Sequence, residues 1–238
     1  MQKKALIIGA SGDIGKAIAV NLLDEGYFTY LHYNRDRHAV DELGRKFGRD
    51  RLMAIQADLA STDGAGILKR EIADKPDCII YNAGTAFYGL MTDIDEATKM
   101  NMIQLNITSL YSTIQLFLPD MISKKAGNIV VISSIWGEIG ASCEVLYSMT
   151  KGAQNSFVMA LAKEVGLSGI RVNAIAPGAV NTKMLHHFTK EDKDALAEDI
   201  PIGRLAHPSE IADSVSFLLS DKASYITGQI LGVNGGWN

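Results

Sequence analysis

Residues 5–15 read ALIIGASGDIG. A short apolar run, Ala5 to Ile8, meets a turn with glycine at 9, 12 and 15, and an amphipathic stretch follows. A strand, a glycine-rich turn and a helix in that order confine the chain to α/β architectures whose first βα connection can hold an anion. Main-chain N–H groups at the helix start face the ligand, and the helix dipole favours phosphate. Gly9 permits the tight turn and Gly15 permits the helix to pack closely on the strand. The usual dinucleotide pattern is G-x-G-x-x-G, and here it is G-x-x-G-x-x-G; standing alone, such a loop would also serve as a plain βα turn.

The rest of the chain supplies the context. Short β-branched runs near 4–9, 27–33, 51–57, 77–81, 128–133, 170–176 and 229–233 alternate with helical stretches near 13–25, 36–47, 63–74, 95–125 (with a break), 145–166, 190–198 and 208–219. That alternation predicts an α/β fold: a doubly wound, seven-stranded parallel sheet with helices on both faces. Right-handed crossovers place the first three strands on one side of the switch point. With no repeat or Pro/Ser-rich linker, residues 1–238 read as one domain.

Composition narrows the function. The apolar runs are strand-sized, so no membrane span is expected. The 23 basic and 27 acidic residues leave no Lys/Arg cluster for nucleic acid. Cys78 and Cys143 are isolated thiols without metal or redox spacing, which fits a reducing cytoplasm. His186 and His187 are adjacent, a poor spacing for one metal on a helix, so no metal site is expected.

The end of the second strand, LHYNRDR, tests the cofactor reading. A site for NAD places a carboxylate there to bind the ribose 2′-hydroxyl. Asn34 and Arg35 stand at that point instead, and a neutral residue followed by a cation suits the 2′-phosphate of NADPH over NADH. Asp36 is expected to open the next helix.

YSMTK at 147–151 puts Tyr147 and Lys151 on one helix face. Upstream, Ser134 ends the strand NIVVISS on the ligand side of the sheet, and Asn106 lies in QLNITS. GASGDIG, the NAG of 82–84, Asn106, Ser134, Tyr147-x-x-x-Lys151, PGAVNT at 177–182 and ITGQILGVNGG at 226–236 together resemble the short-chain dehydrogenase/reductase family along the whole chain. The resemblance implies a Rossmann-like sheet, a nicotinamide cofactor and Asn106, Ser134, Tyr147 and Lys151 as the catalytic set. It assigns cofactor contacts to Gly9, Ser11, Gly12, Asp13, Ile14 and Gly15, to Asp58 for the adenine, and to Asn82, Ala83 and Gly84. Tyr147 and Lys151 reach the cofactor as well, and Pro177, Gly178, Val180 and Thr182 lie on its nicotinamide side. It further implies that Asn106 bends its helix and holds a water relaying protons through Lys151. The family's common loop is G-x-x-x-G-x-G; here Asp13 replaces the middle glycine and Gly12 precedes it, so Asp13 is expected to cap the helix.

The chemistry needs these groups. Reducing a ketone delivers hydride to carbon and a proton to oxygen. A free phenol titrates near 10, and the Lys151 ammonium with an oxidised nicotinamide favours the phenolate; lowering the phenol by ~2–3 units takes about 3–4 kcal/mol. Ser134 would hydrogen-bond the substrate oxygen. Trp136 and Cys143 are expected to line the substrate pocket, with Met184 and His187, beside His186 and Phe188, in a lid.

Two readings of the substrate stand open, with a non-enzyme reading behind them. The chain resembles 3-oxoacyl-[acyl-carrier-protein] reductases, which implies a ketone on acyl carrier protein. Of the two basic docking positions that resemblance places near the site entrance, Lys125 fills one, beside Lys124; the other is Ser168, uncharged, with Arg171 three residues on. LHYN and SSIWGEIGASCEV resemble a subgroup that reduces a 5-aminopentanone modification on elongation factor P; Glu138 and Glu144 would then receive an amine. The non-enzyme alternative, a nucleotide-sensing regulator on the same fold, is at odds with intact Ser134, Tyr147 and Lys151. A homotetramer is expected from the resemblance. The apolar QNSFVMALA supports it, with Trp237 in ILGVNGGWN as an anchor of a second interface.

Overall fold

The computed structural model describes residues 2–185 and 188–237. Seven strands form one parallel sheet: β1 (Lys4–Ile8), β2 (Phe28–Tyr33), β3 (Leu52–Gln56), β4 (Cys78–Tyr81), β5 (Gly127–Ile132), β6 (Ile170–Pro177) and β7 (Ile230–Val233). Their order is β3-β2-β1-β4-β5-β6-β7. β1 therefore pairs on both sides, Ala5 opposite Thr29 of β2 and Cys78 of β4. The chain reverses its winding between β1 and β4, which opens a crevice at the carboxyl ends of those strands.

The helices are α1 (Asp13–Asp24), α2 (Arg37–Phe47), α3 (Gly64–Glu71), α4 (Glu96–Ile103), α5 (Ser109–Lys124), α6 (Trp136–Ile139), α7 (Val145–Val165), α8 (Lys190–Asp199) and α9 (Pro208–Leu219). They cover both faces of the sheet, which is why β1 reads as an unbroken apolar run. Ala5 and Ile7 pack with Ile18, Leu22, Ile211 and Val215 of α1 and α9. Leu6 and Ile8 pack with Ile114, Phe117 and Val158 of α5 and α7.

The expected break in the 95–125 stretch is a single π-turn, Gln104–Thr108, between α4 and α5, with Asn106 at its centre and fully buried. A π-turn inserts one residue into the helical ladder and frees a carbonyl from it. Asp36 caps α2 as expected, accepting from the Ala39 N–H. The short α6 was not visible in the sequence pattern, because four residues are too few to show a period.

Candidate active site

The glycine loop is shaped by contacts rather than by flexibility. Gly9 has φ +78°, and a Cβ on Gly15 would lie 2.1 Å from the Gly9 carbonyl. No side chain but glycine's fits there. The loop is held from two sides. The Asn82 amide donates to the Gly9 carbonyl at 3.0 Å, and the Gly9 N–H donates to Nδ1 of His32 at 3.0 Å. His32 Nε2 lies 3.0 Å from the Ala57 carbonyl. A carbonyl only accepts, so His32 is the neutral tautomer with its proton on Nε2. Burial pushes its pKa down, against smaller opposing effects of the Ala57 carbonyl and Asp58.

Asp13 corrects an expectation. Gly12 is the N-cap of α1 and offers no side-chain cap, so the first-turn N–H groups are left for an anion. The Asp13 carboxylate instead accepts from the main-chain N–H of Lys183 at 2.6 Å. It ties the glycine loop to the segment after PGAVNT. Ser11 and Ile14 complete the loop, both half-buried.

Along the crevice, Asn34 donates to Asp58 at 3.3 Å, and Asp58 also accepts from the Ala60 N–H. Arg35 is exposed, and among the described residues its guanidinium has no ion pair. Pro177 closes β6, and its carbonyl accepts from the Ile135 N–H at 3.0 Å. Gly178 packs against Asn234, Val180 bridges to Ala206, and the Thr182 carbonyl accepts from Leu185.

Ser134, Tyr147 and Lys151 converge where β5 ends. The Ser134 hydroxyl accepts from the Trp136 N–H at 3.2 Å and hydrogen-bonds the Tyr147 phenol. Lys151 Nζ sits 5.5 Å from the Tyr147 ring centre and donates to the Ile132 carbonyl at 2.8 Å and to Oε1 of Gln154 at 3.1 Å. The Asn106 side chain clamps Thr85, accepting from its N–H and donating to its carbonyl, and donates to the Thr150 hydroxyl. Gly84 lies against this cluster: a Cβ there would be 3.4 Å from Asn106 Oδ1 and 3.7 Å from Lys151 Nζ.

The protein's own groups act on the two titratable side chains in opposite directions. Burial, then the nearby Glu144 carboxylate, push the Tyr147 phenol up, and burial pushes Lys151 down to about 7. The expected lowering counted two cations. Lys151 donates to Ile132 and Gln154, and among the described residues no second cation pushes on the phenol.

Of the residues expected to line the pocket, Trp136 lies beside the Ser134 hydroxyl. The Trp136 indole bonds the Glu144 carboxylate, which burial pushes up, and its ring meets Trp237 edge-on at 4.9 Å. Trp237 is therefore engaged within its own chain, because the end of the fold turns back over α6. Cys143 holds a left-handed conformation, φ +62°, and its carbonyl accepts from the Gly89 N–H. Met184 is exposed in the turn Lys183–Leu185. His186 and His187 lie outside the described residues. Among the described residues no three His, Cys, Asp or Glu side chains gather as a metal site requires, and no helix is long and apolar enough to cross a membrane.

The docking positions fall elsewhere. Lys125 follows α5 and precedes β5, whereas Ser134 follows β5, so about 20 Å of strand separates them. Lys124 is tied to Asp77 and the Lys75 carbonyl, and Arg171 to the Ile226 and Ser220 carbonyls. An α-helix that returns to the start of a parallel strand must end at the opposite edge from the site. His32, Thr85 and Gln154 were not singled out from the sequence. Gln154 carried a signal, being three residues after Lys151 on the same helix face.

Residues 9–238 match a family model described as enoyl-(acyl carrier protein) reductase. The chain belongs to the short-chain dehydrogenase/reductase family. It is an oxidoreductase by that membership. It is 56% identical to uncharacterized oxidoreductase YmfI of Bacillus subtilis, over all of both chains. It is 34% identical to the 3-oxoacyl-[acyl-carrier-protein] reductase FabG of Staphylococcus aureus, across 99% of this chain and 98% of the relative. Among solved structures, ElxO with NADP bound is 28% identical, with a TM-score of 0.90, over 100% of this chain and 99% of that one. The glycine loop, the π-turn and the Ser–Tyr–Lys cluster thus sit in a family framework.

Proposed function

We propose that this chain is an NADPH-dependent ketone reductase, with residues 1–238 forming one dinucleotide-binding and catalytic domain. One observation carries the reading: Ser134, Tyr147 and Lys151 meet at the carboxyl edge of the sheet, against Gly84 and on the same edge as an uncapped, glycine-lined helix start. The crevice fits a dinucleotide, since the α1 N–H groups are free for its phosphates and Asn34 and Arg35 stand where its 2′-phosphate would lie. The NADP in ElxO supports the same cofactor. When bound, the nicotinamide supplies hydride to the carbonyl carbon. Tyr147 gives its proton to the carbonyl oxygen and Ser134 donates a hydrogen bond to the same atom. Lys151 holds positive charge beside the developing phenolate, and Asn106 fixes the turn behind it.

The first substrate reading is a 3-oxoacyl group on acyl carrier protein, supported by the FabG relatives. A second reading, the 5-aminopentanone on elongation factor P, is favoured by Glu144. Its carboxylate is partly desolvated beside Tyr147, bonded to the Trp136 indole, and among the described residues it has no cationic partner. A cationic ketone would supply one. The deciding experiment follows NADPH oxidation with an acetoacetyl thioester and with aminoketone-modified elongation factor P. If the second reading holds, Glu144→Gln raises KM for the aminoketone about tenfold and leaves the thioester unchanged. Equal effects on both would exclude it. No NADPH oxidation with any activated ketone would overturn the enzyme reading and leave the sensing regulator.

A further inference from the structure

Gln154 is a buried polar side chain of the site that the mechanism above does not use. It is 1% exposed, between Lys151 at 4% and Asn106 at 0%. Its Oε1 accepts from Lys151 Nζ at 3.1 Å, and its Nε2 donates to the main-chain carbonyl of Asn106 at 2.7 Å. The amide orientation is fixed by chemistry, since an ammonium only donates and a carbonyl only accepts. The carbonyl it reaches belongs to the residue at the centre of the π-turn. One side chain thus spans the gap that the family resemblance assigns to a relay water.

We propose that Gln154 is a positioning residue for the reduction: its amide joins the Lys151 ammonium to the Asn106 π-turn and holds Lys151 charged and in place beside Tyr147. The geometry excludes simpler substitutes. An apolar side chain would strip an acceptor from the ammonium and a donor from the carbonyl, both in a dry setting. A carboxylate would serve the ammonium but oppose the Asn106 carbonyl. Burial alone drives Lys151 toward its neutral form, so each acceptor it retains counts. The titratable neighbours are Tyr147, whose ring lies 5.5 Å from Nζ, and Glu144 beyond it; among the described residues no carboxylate pairs with the ammonium.

The proposal rests on reading Lys151 as catalytic, but its test does not need turnover. The full chain is labelled with ¹³C-lysine and the Lys151 Cε resonance, assigned with Lys151→Arg, is titrated. Gln154→Met is expected to move its midpoint down by about one pH unit, and Gln154→Glu up by about as much. The alkaline limb of kcat should move in the same directions, with KM little changed. The Glu variant, isosteric with glutamine, serves where the Met variant fails to fold. Midpoints that stay at the wild-type value in either folded variant, with only the melting temperature lowered, would make Gln154 a packing residue and overturn the proposal. Full activity in Tyr147→Phe would instead sink the ketone-reductase reading and leave the Gln154 titration result standing.

Discussion

At the scale of single residues, the site separates groups that touch the reacting atoms from groups that hold them. The proposed reduction makes Tyr147 the proton donor, and its phenol is bonded to Ser134. Tyr147→Phe removes only that proton, so turnover should fall about a hundred- to ten-thousandfold while the affinity for NADPH, read by fluorescence titration, stays near wild type. Lys151→Ala should lose turnover and also weaken NADPH binding, because it removes the one buried cation among the described residues of the crevice. Arg35 is a different case. It is exposed and has no ion pair among the described residues, so its charge is available to a 2′-phosphate. Arg35→Ala should weaken NADPH about tenfold and leave NADH unchanged. Comparable turnover with both cofactors in the wild-type protein would contradict that assignment.

At the scale of elements, β2 does more than pair with its neighbours. Through His32 it props the glycine loop on one side and Ala57, just past β3, on the other. The imidazole must be neutral to accept from the Gly9 N–H, and burial lowers its pKa in the fold. An unfolded histidine titrates near 6.5. The unfolded chain therefore binds the proton more readily, and this contribution to stability is full above about pH 6.5 and is lost as pH falls toward the folded value. Melting temperature should drop over that interval, with NADPH affinity falling alongside. His32→Asn, which can still accept and donate, should flatten both curves; an unchanged slope would assign the effect to another group. Much of this element pattern was legible beforehand. All seven strands and the main helices follow from periodicity and turn residues, and the bend at Asn106 is what the family resemblance implies. What escaped was long-range. The His32 prop, the Asp13 tie to Lys183 and the Gln154 bridge each join residues whose partners lie far along the chain or depend on a π-turn, and no local pattern records such contacts. The upward push on Tyr147 is likewise a matter of tertiary context, since burial acts on a phenol in the opposite direction from a cation.

At the scale of the whole molecule, the outer faces of α5 and α7 remain apolar. Tyr111 and Ile122 on α5, with Met149 and Met159 on α7, are exposed, and Phe157 meets Tyr111 edge-on at 6.2 Å. A further apolar group, Phe217, Tyr225 and Leu231, stands near the end of the chain. Two separate apolar faces fit a homotetramer, in which each pairs with its own copy about a two-fold axis. Light scattering at micromolar concentration should give about four times the mass of one chain, and Tyr111→Glu with Met159→Glu should reduce it to dimers. A monomer at that concentration would refute the assembly. Within one chain, all seven strands point the same way. The amino edge carries the Lys4–Asp74 and Lys124–Asp77 ion pairs, and the carboxyl edge carries Ser134, Gly84 and the glycine loop. Evolution can therefore revise one end of this protein without consulting the other. In a saturation library scored separately for abundance and for turnover, variants at the amino edge should lower both scores together, while those lining the crevice should spare abundance and lose turnover alone. A map of the discordant variants would trace the working rim of the enzyme without any ligand bound.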